Sequence, residues 1–173
     1  EQPTEEHDIE GLAKVTSTIH SWLPTMPFKI VIMADEAMWN LEDAKKIVAL
    51  HACDLVNIKI QKAGGLLASM DIGNYLHEKA PEMGVYVGGV VATDVTSWAN
   101  LQLCCALPRL DYATGCIPRR AYKVNVAATP IEYEKDKNIR LPSTPGLGTT
   151  LNADLLKGYV KDVASVATTQ PAQ

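Results

Sequence analysis

The sequence predicts an α/β fold in which parallel strands alternate with crossover helices. Two short apolar runs, Ile30-Val31-Ile32-Met33-Ala34 and Val56-Asn57-Ile58, end in charge, at Asp35-Glu36 and at Lys59. Between them, Asn40 to Ala52 has the pattern of a helix. The same alternation then continues to about residue 113, and such alternation indicates a parallel sheet with helical connections.

The elements follow in order. Ile9, Leu12, Val15 and Ile19 recur at helical spacing, which predicts an amphipathic helix from Asp8 to about Ser21 with a cap near Asp8. Leu23-Pro24-Thr25-Met26-Pro27 breaks it. A strand to Asp35 comes next, and Asn40 with Asp43 three residues on resembles a capping box for the helix to Ala52. The strand to Lys59 precedes Gly64-Gly65, which opens a helix from about Leu66 to Lys79. Val85-Tyr86-Val87 forms a short strand within Gly84 to Gly89, Asp94 caps a helix to Ala106, and Leu110 to Ala113 makes a last short strand before a tail rich in proline and glycine. One domain is expected over residues 1–167, with Thr168 to Gln173 disordered.

Strand periodicity places charge where an aliphatic side chain would be ordinary. Alternate residues of a strand face opposite sides of the sheet, so Val56, Ile58 and Ile60 share one face and Leu55, Asn57 and Lys59 the other. In parallel barrels the carboxyl ends of the strands form the rim that carries chemistry. An acid pair ending one strand and a lysine ending the next therefore mark a catalytic site, and a charge on the inner face needs a partner to offset its desolvation, with Asp35 the candidate. The alternative is an exposed rim ion pair between Lys59 and Asp35 or Glu36, worth roughly 0 to 1 kcal/mol.

Composition narrows the class. At 173 residues, 47% hydrophobic and 21% charged, the chain buries a substantial core. A formal charge of -4 gives no basic field for nucleic acid. No apolar run approaches the roughly 18 residues that span a bilayer, and the opening has no signal-peptide pattern. A soluble cytoplasmic enzyme domain is expected. Cys53, Cys104, Cys105 and Cys116 lack C-x-x-C spacing and read as reduced core thiols, while His7, His20, His51 and His77 form no metal-spaced pair and read as surface or helix-end residues.

Taken together, Met33-Ala34-Asp35-Glu36, Asn57-Ile58-Lys59 with Lys62-Ala63-Gly64-Gly65, and Pro145-Gly146-Leu147-Gly148 resemble the enolase superfamily, in its mandelate racemase and muconate-lactonizing type, muconate cycloisomerase and dipeptide epimerase branch. Glu1-Gln2-Pro3 is similar to the end of that family's fourth barrel strand, and the 24 residues from Asp35 to Lys59 match its spacing of metal aspartate to catalytic lysine. The resemblance implies the C-terminal part, strands 4 to 8, of a TIM-like (β/α)7β barrel. It further implies a Mg2+-dependent enzyme that removes the proton alpha to a carboxylate and stabilises the resulting enediolate, giving racemisation, epimerisation or cycloisomerisation of a small carboxylate substrate. On that resemblance Glu1 and Asp35 are metal ligands, Lys59 is the acid/base, and Glu36, Asn57 and Lys62 support them. For Lys62 a solvated loop charge is the alternative. A homo-oligomer is also implied.

Departures from the family pattern bear on substrate and on completeness. Ala92 stands where relatives place a glutamate, and Asp111-Tyr112-Ala113 replaces an Asp-x-Asp pair that would bind an ammonium. Asp111 remains a substrate-binding candidate, and Arg119 and Arg120 are positioned to receive an anion unless they are tail surface charges. Trp22 to Lys29 looks like an insertion on the amino-terminal side. The family's K-x-K pair, first metal aspartate and capping domain are not in this sequence, so a piece of a longer protein is expected. The competing class is a noncatalytic fragment, or a subunit that folds only against a partner covering its open strand edges.

Overall fold

A computed structural model of the chain describes residues 1–115, 122, 124–136 and 138–161. Cys116, Arg119, Arg120 and the expected tail from Thr168 to Gln173 lie outside the described residues.

Three parallel strands form the sheet in the order β1 (Met33–Ala34), β2 (Leu55–Ile58) and β3 (Gly84–Val87). Met33 pairs with Leu55, and Asn57 with Tyr86. Helix α2 (Leu41–Ala49) connects β1 to β2, and α3 (Ile60–Ala63) with α4 (Leu66–Lys79) connects β2 to β3. Helix α1 (Ile9–Trp22) precedes the sheet, α5 (Asp94–Ala106) follows it, and the short α6 (Ala153–Leu156) lies in the C-terminal segment. This is a partial α/β barrel. The sheet continues on both sides through single strands' worth of contacts: the Gln2 amide donates to Met33 O at 2.9 Å, and the Asp111 and Gly115 amides donate to Val85 O and Val87 O at 3.0 and 3.2 Å.

All the main helices pack on one face of this sheet. Val56, Ile58, Val85 and Val87 project into a core with Ile9 and Leu12 of α1, Ala44 and Ile47 of α2, Ile72 and Leu76 of α4, and Leu103 of α5. Met33, Leu55, Asn57 and Tyr86 face the other way and line an open concavity. Strand alternation thus separates core from site. A smaller apolar cluster joins Trp98 and Leu101 to Ala127 and Ile131 of the return segment, where the Trp98 indole donates to Thr129 O at 2.9 Å.

The start signals act as expected for α1 and α2. Asp8 accepts from the Gly11 amide at 2.8 Å. Asn40 and Asp43 form a reciprocal capping box, with Asn40 Oδ1 accepting from the Asp43 amide at 3.0 Å and Asp43 Oδ2 from the Asn40 amide at 3.2 Å.

Other expectations need correction. Helix α2 ends at Ala49 rather than Ala52. In α1 it is Thr16, not Val15, that is buried, with its hydroxyl donating to Ala52 O at 2.7 Å. Ile60 does not continue the strand face, because β2 stops at Ile58, Lys59 stays extended as the residue before α3, and Ile60 begins that helix. Gly64 and Gly65 then turn the chain at φ of +87° and +117°, a region closed to most side chains. The cap of α5 is Thr93 and not Asp94, which is its first residue and buried. Leu110 to Ala113 is not a ladder strand; it only flanks β3. Leu23–Thr25 of the insertion-like segment forms one 3-10 turn. Cys53 is a buried free thiol pushed by burial up to about 12, whereas Cys105 is exposed and not part of the core. Among the described residues no helix is long and apolar enough to cross a membrane.

Leu76 is fully buried where α4 meets the sheet. Leu76→Ala should lower stability by about 2 to 5 kcal/mol, read as a shift in urea midpoint without a change in slope.

Candidate functional site

The site forms where β1 and β2 end, because each strand there hands its last residue into the concavity before the chain turns into a helix. Asp35 follows β1 and is 3% exposed at its side chain; Lys59 follows β2 and is 13% exposed. Their ion pair is buried, so the exposed-rim alternative is set aside. Lys62, one turn further on in α3, reaches back to the same carboxylate and is 9% exposed, which excludes a solvated loop charge. Asp35 therefore receives Lys59 on Oδ2 and Lys62 on Oδ1, and Lys62 also donates to the Asp35 carbonyl.

Asn57, 2% exposed, bridges the remaining acids. Its Nδ2 donates to Glu1 Oε1 and to Asp35 Oδ2, each at 3.2 Å, which brings the two carboxylates to one place. Its Oδ1 is buried without a partner among the described residues. A Cβ at position 88 would fall on this amide, so glycine at Gly88 is what lets Asn57 lie across the strand ends. Glu36 stands at the margin, 45% exposed, with its carboxylate 4.0 Å from Lys59. The cavity lined by these groups, together with Gln2, Tyr86, Gly88, Gly89 and Gly115, measures about 860 Å³.

Burial works to raise the Asp35 carboxyl, and the hydrogen bonds from Lys59 and Lys62 outweigh it, leaving Asp35 below its ordinary value. For Lys62 burial dominates and lowers the ammonium, against the opposing pull of Asp35.

Asp111 is not brought to this site. Its Oδ2 accepts from the Val85 amide at 2.7 Å, and its side chain lines a second cavity near the amino ends of the strands with Asp54 and Arg109. The physical reason is the unpaired amide at the start of β3, which the carboxylate satisfies in place of a ladder partner. Arg119 and Arg120 lie outside the described residues. Sequence reasoning missed Gln2, whose Oε1 accepts from the Asp35 and Ala37 amides at 2.9 and 3.0 Å and so holds the turn after β1. No local pattern signals that contact, since its partners are more than thirty residues away.

The arrangement has hard oxygen donors converging beside paired lysines at the carboxyl ends of parallel strands. Residues 1–155 match the family described as enolase C-terminal domain-like. The chain belongs to that family. It is 29% identical over 164 residues to a chloromuconate cycloisomerase of Cupriavidus pinatubonensis, covering 93% of this chain and 40% of that protein. It is 30% identical over 163 residues to an L-Ala-D/L-Glu epimerase of Bacillus subtilis, covering 91% and 39%. Its fold matches the crystal structure of a 2-chloromuconate cycloisomerase from Rhodococcus opacus 1CP with a TM-score of 0.79 at 23% identity, over 93% of this chain and 40% of that one. The enolase-family chain thus spans about 40% of the length of these relatives.

Whether the site suits Mg2+ follows from its donors. Glu1 and Asp35 share one amide donor and supply the hard carboxylate oxygens that Mg2+ prefers. Among the described residues no group of three or more His, Cys, Asp or Glu is placed to hold a metal. Mg2+ commonly takes only one or two carboxylates and completes its shell with water and substrate, so the pair fits as part of such a shell.

Asp35→Asn leaves two buried ammonium groups without their counter-charge and should cost about 3 to 5 kcal/mol at neutral pH, measured by urea denaturation. The pH dependence has a defined sign. The folded carboxyl lies below its ordinary 3.8, so its contribution is complete above that value and is lost as pH falls through the folded value. The stability gap between wild type and Asp35→Asn should be flat from about pH 5 to neutrality and close in acid.

Proposed function

We propose that this chain carries the metal-and-lysine half of an enzyme that removes the proton alpha to a carboxylate, leading to racemisation, epimerisation or cycloisomerisation. The observation that carries this reading is the buried assembly of Lys59, Asp35, Asn57 and Glu1 around one cavity at the carboxyl ends of β1 and β2. Family membership, with curated relatives named as cycloisomerases and epimerases, supports it.

In this reading Glu1 and Asp35 would hold Mg2+, which when bound would supply positive charge to stabilise the negative charge that develops as the α-carbon loses its proton. Lys59 Nζ takes that proton as a neutral amine and returns one as an ammonium. Lys62 does not reach the substrate in this scheme. It holds the Asp35 carboxylate and carbonyl, fixing the end of β1 against α3. Asn57 keeps Glu1 and Asp35 together, and Gln2 holds the turn that presents Asp35. Glu36, half-exposed at the margin, adds negative charge near Lys59.

A second reading is a noncatalytic chain that folds against a partner. It is favoured by the exposed apolar side chains of the inner face, Val31 at 36% and Tyr112 at 46%. The two readings separate in heavy water. With Mg2+ and a panel of α-protonated carboxylates, the enzyme exchanges the α-proton for deuterium, seen as loss of the proton NMR signal, and Lys59→Ala reduces the rate at least a hundredfold. Undiminished exchange in Lys59→Ala would sink the mechanism; wild-type exchange that Lys59→Ala abolishes would sink the noncatalytic reading.

A further inference from the structure

The insertion-like segment at the end of α1 serves neither the core nor the catalytic cavity. Trp22 closes α1 at 51% exposure, Leu23–Thr25 makes the 3-10 turn, and Phe28 follows it at 60% exposure. With the half-buried Leu23 and Met26 they border two adjoining shallow depressions of about 280 Å³ each, one on the flank of α1 and one on the turn. Apolar side chains exposed singly are ordinary, but two large aromatics this open and this close in sequence make a patch.

Charge indicates what such a patch would meet. Residues 11–34 hold no Asp or Glu, in a chain with 20 of them. Lys14 and Lys29 are exposed and line the two depressions. The acid preceding this stretch, Glu10, is paired with Lys46 of α2 at 2.8 Å. Asp54 pairs with His20, and residues two apart on a helix fall on roughly opposite sides, so that carboxylate lies across α1 from Trp22.

The polar groups of the segment are already prepared to lose water. Thr18, Ser21 and Thr25 each donate their hydroxyl back to a carbonyl three or four residues earlier, at 2.8, 2.7 and 2.7 Å. The Met26 amide donates to Leu23 O at 3.0 Å, and Pro24 and Pro27 have no amide proton to satisfy. Desolvating this surface therefore strands few donors, and the usual penalty for burying polar groups is small.

We propose that Trp22 to Lys29, with the adjoining flank of α1, docks on the surface of an anionic phospholipid bilayer. Trp22, Leu23, Met26 and Phe28 enter the boundary between headgroups and acyl chains, while Lys14 and Lys29 meet lipid phosphates. Aromatics laid in the floor of a peptide groove would be more covered than these, which stand out from the surface. A second copy seated patch to patch would bring the lysines together with no carboxylate of the stretch to receive them. Lys29 also lines the cavity near the amino ends of the strands, so the patch lies at the end away from Asp35 and Lys59, and a docked chain keeps its catalytic cavity toward solution.

The test is flotation of the full chain with vesicles of equal parts phosphatidylglycerol and phosphatidylcholine, against phosphatidylcholine alone, at low ionic strength. Binding should require the anionic lipid and fall with added salt. Lys14→Gln and Lys29→Gln should each weaken it about fivefold, and Phe28→Ser, at an exposed position that folding does not depend on, about tenfold. Apolar Val31 and Tyr112 on the inner face are a competing contact, so the docked surface is located by quenching with phospholipids brominated on the acyl chain. Wild type should be quenched, and Trp22→Phe, which leaves Trp39 bonded to Glu36 O at the carboxyl end and the buried Trp98, should not. Absence of binding, binding indifferent to Phe28→Ser, or quenching that persists in Trp22→Phe overturns the proposal. A dimer that Phe28→Ser converts to monomer, with no vesicle bound by either, overturns it as well and assigns the patch to a second copy.

Discussion

One buried carboxylate organises this end of the molecule. Asp35 is 3% exposed at its side chain, and an ionised group so deeply desolvated persists only where charge and hydrogen bonds replace its water. Lys59, Lys62 and Asn57 provide that replacement at the side chain, while Gln2 accepts the Asp35 amide. These partners come from two stretches of the chain: the first residues, and the continuous run from β2 through Lys59 into α3. The same contacts that neutralise Asp35 therefore fix the geometry of the cavity, and structure and site share one set of interactions.

The division of labour between the two sheet faces makes such a site affordable to the fold. Every main helix packs on the outer face over Val56, Ile58, Val85 and Val87, so the main apolar core lies on that side of the sheet. The inner face is left to Asn57, Tyr86 and the strand-end charges. Close approach matters there, and Gly88 provides it by leaving room for the Asn57 amide.

Membership of the enolase C-terminal domain-like family and about 40% coverage of its relatives agree with a sheet that has three ladder strands and partial neighbours on each side. The departures from the family pattern fall beside β3. Asp111, which keeps one half of the family's Asp-x-Asp pair, satisfies a backbone amide at the other end of the strand, and Tyr86 is a polar side chain of the site wall.

By itself the sequence determined the order of the three ladder strands and of the longer helices, two of the helix caps, the inner and outer faces of β2 and the identities of Asp35 and Lys59 as strand-end charges. These are local matters, set by period-2 and period-3.6 patterning and by side chains that bond within four residues. Tertiary structure decided the rest. Whether Asp35 and Lys59 made an exposed rim pair or a buried one depends on what covers them, and that covering includes Lys62, Asn57 and Gln2, with the last more than thirty residues distant from Asp35. The roles of Gln2, Asp111 and Gly88 were illegible for the same reason: each is defined by a backbone or amide group on another strand, and no periodicity along the chain records which strand becomes its neighbour.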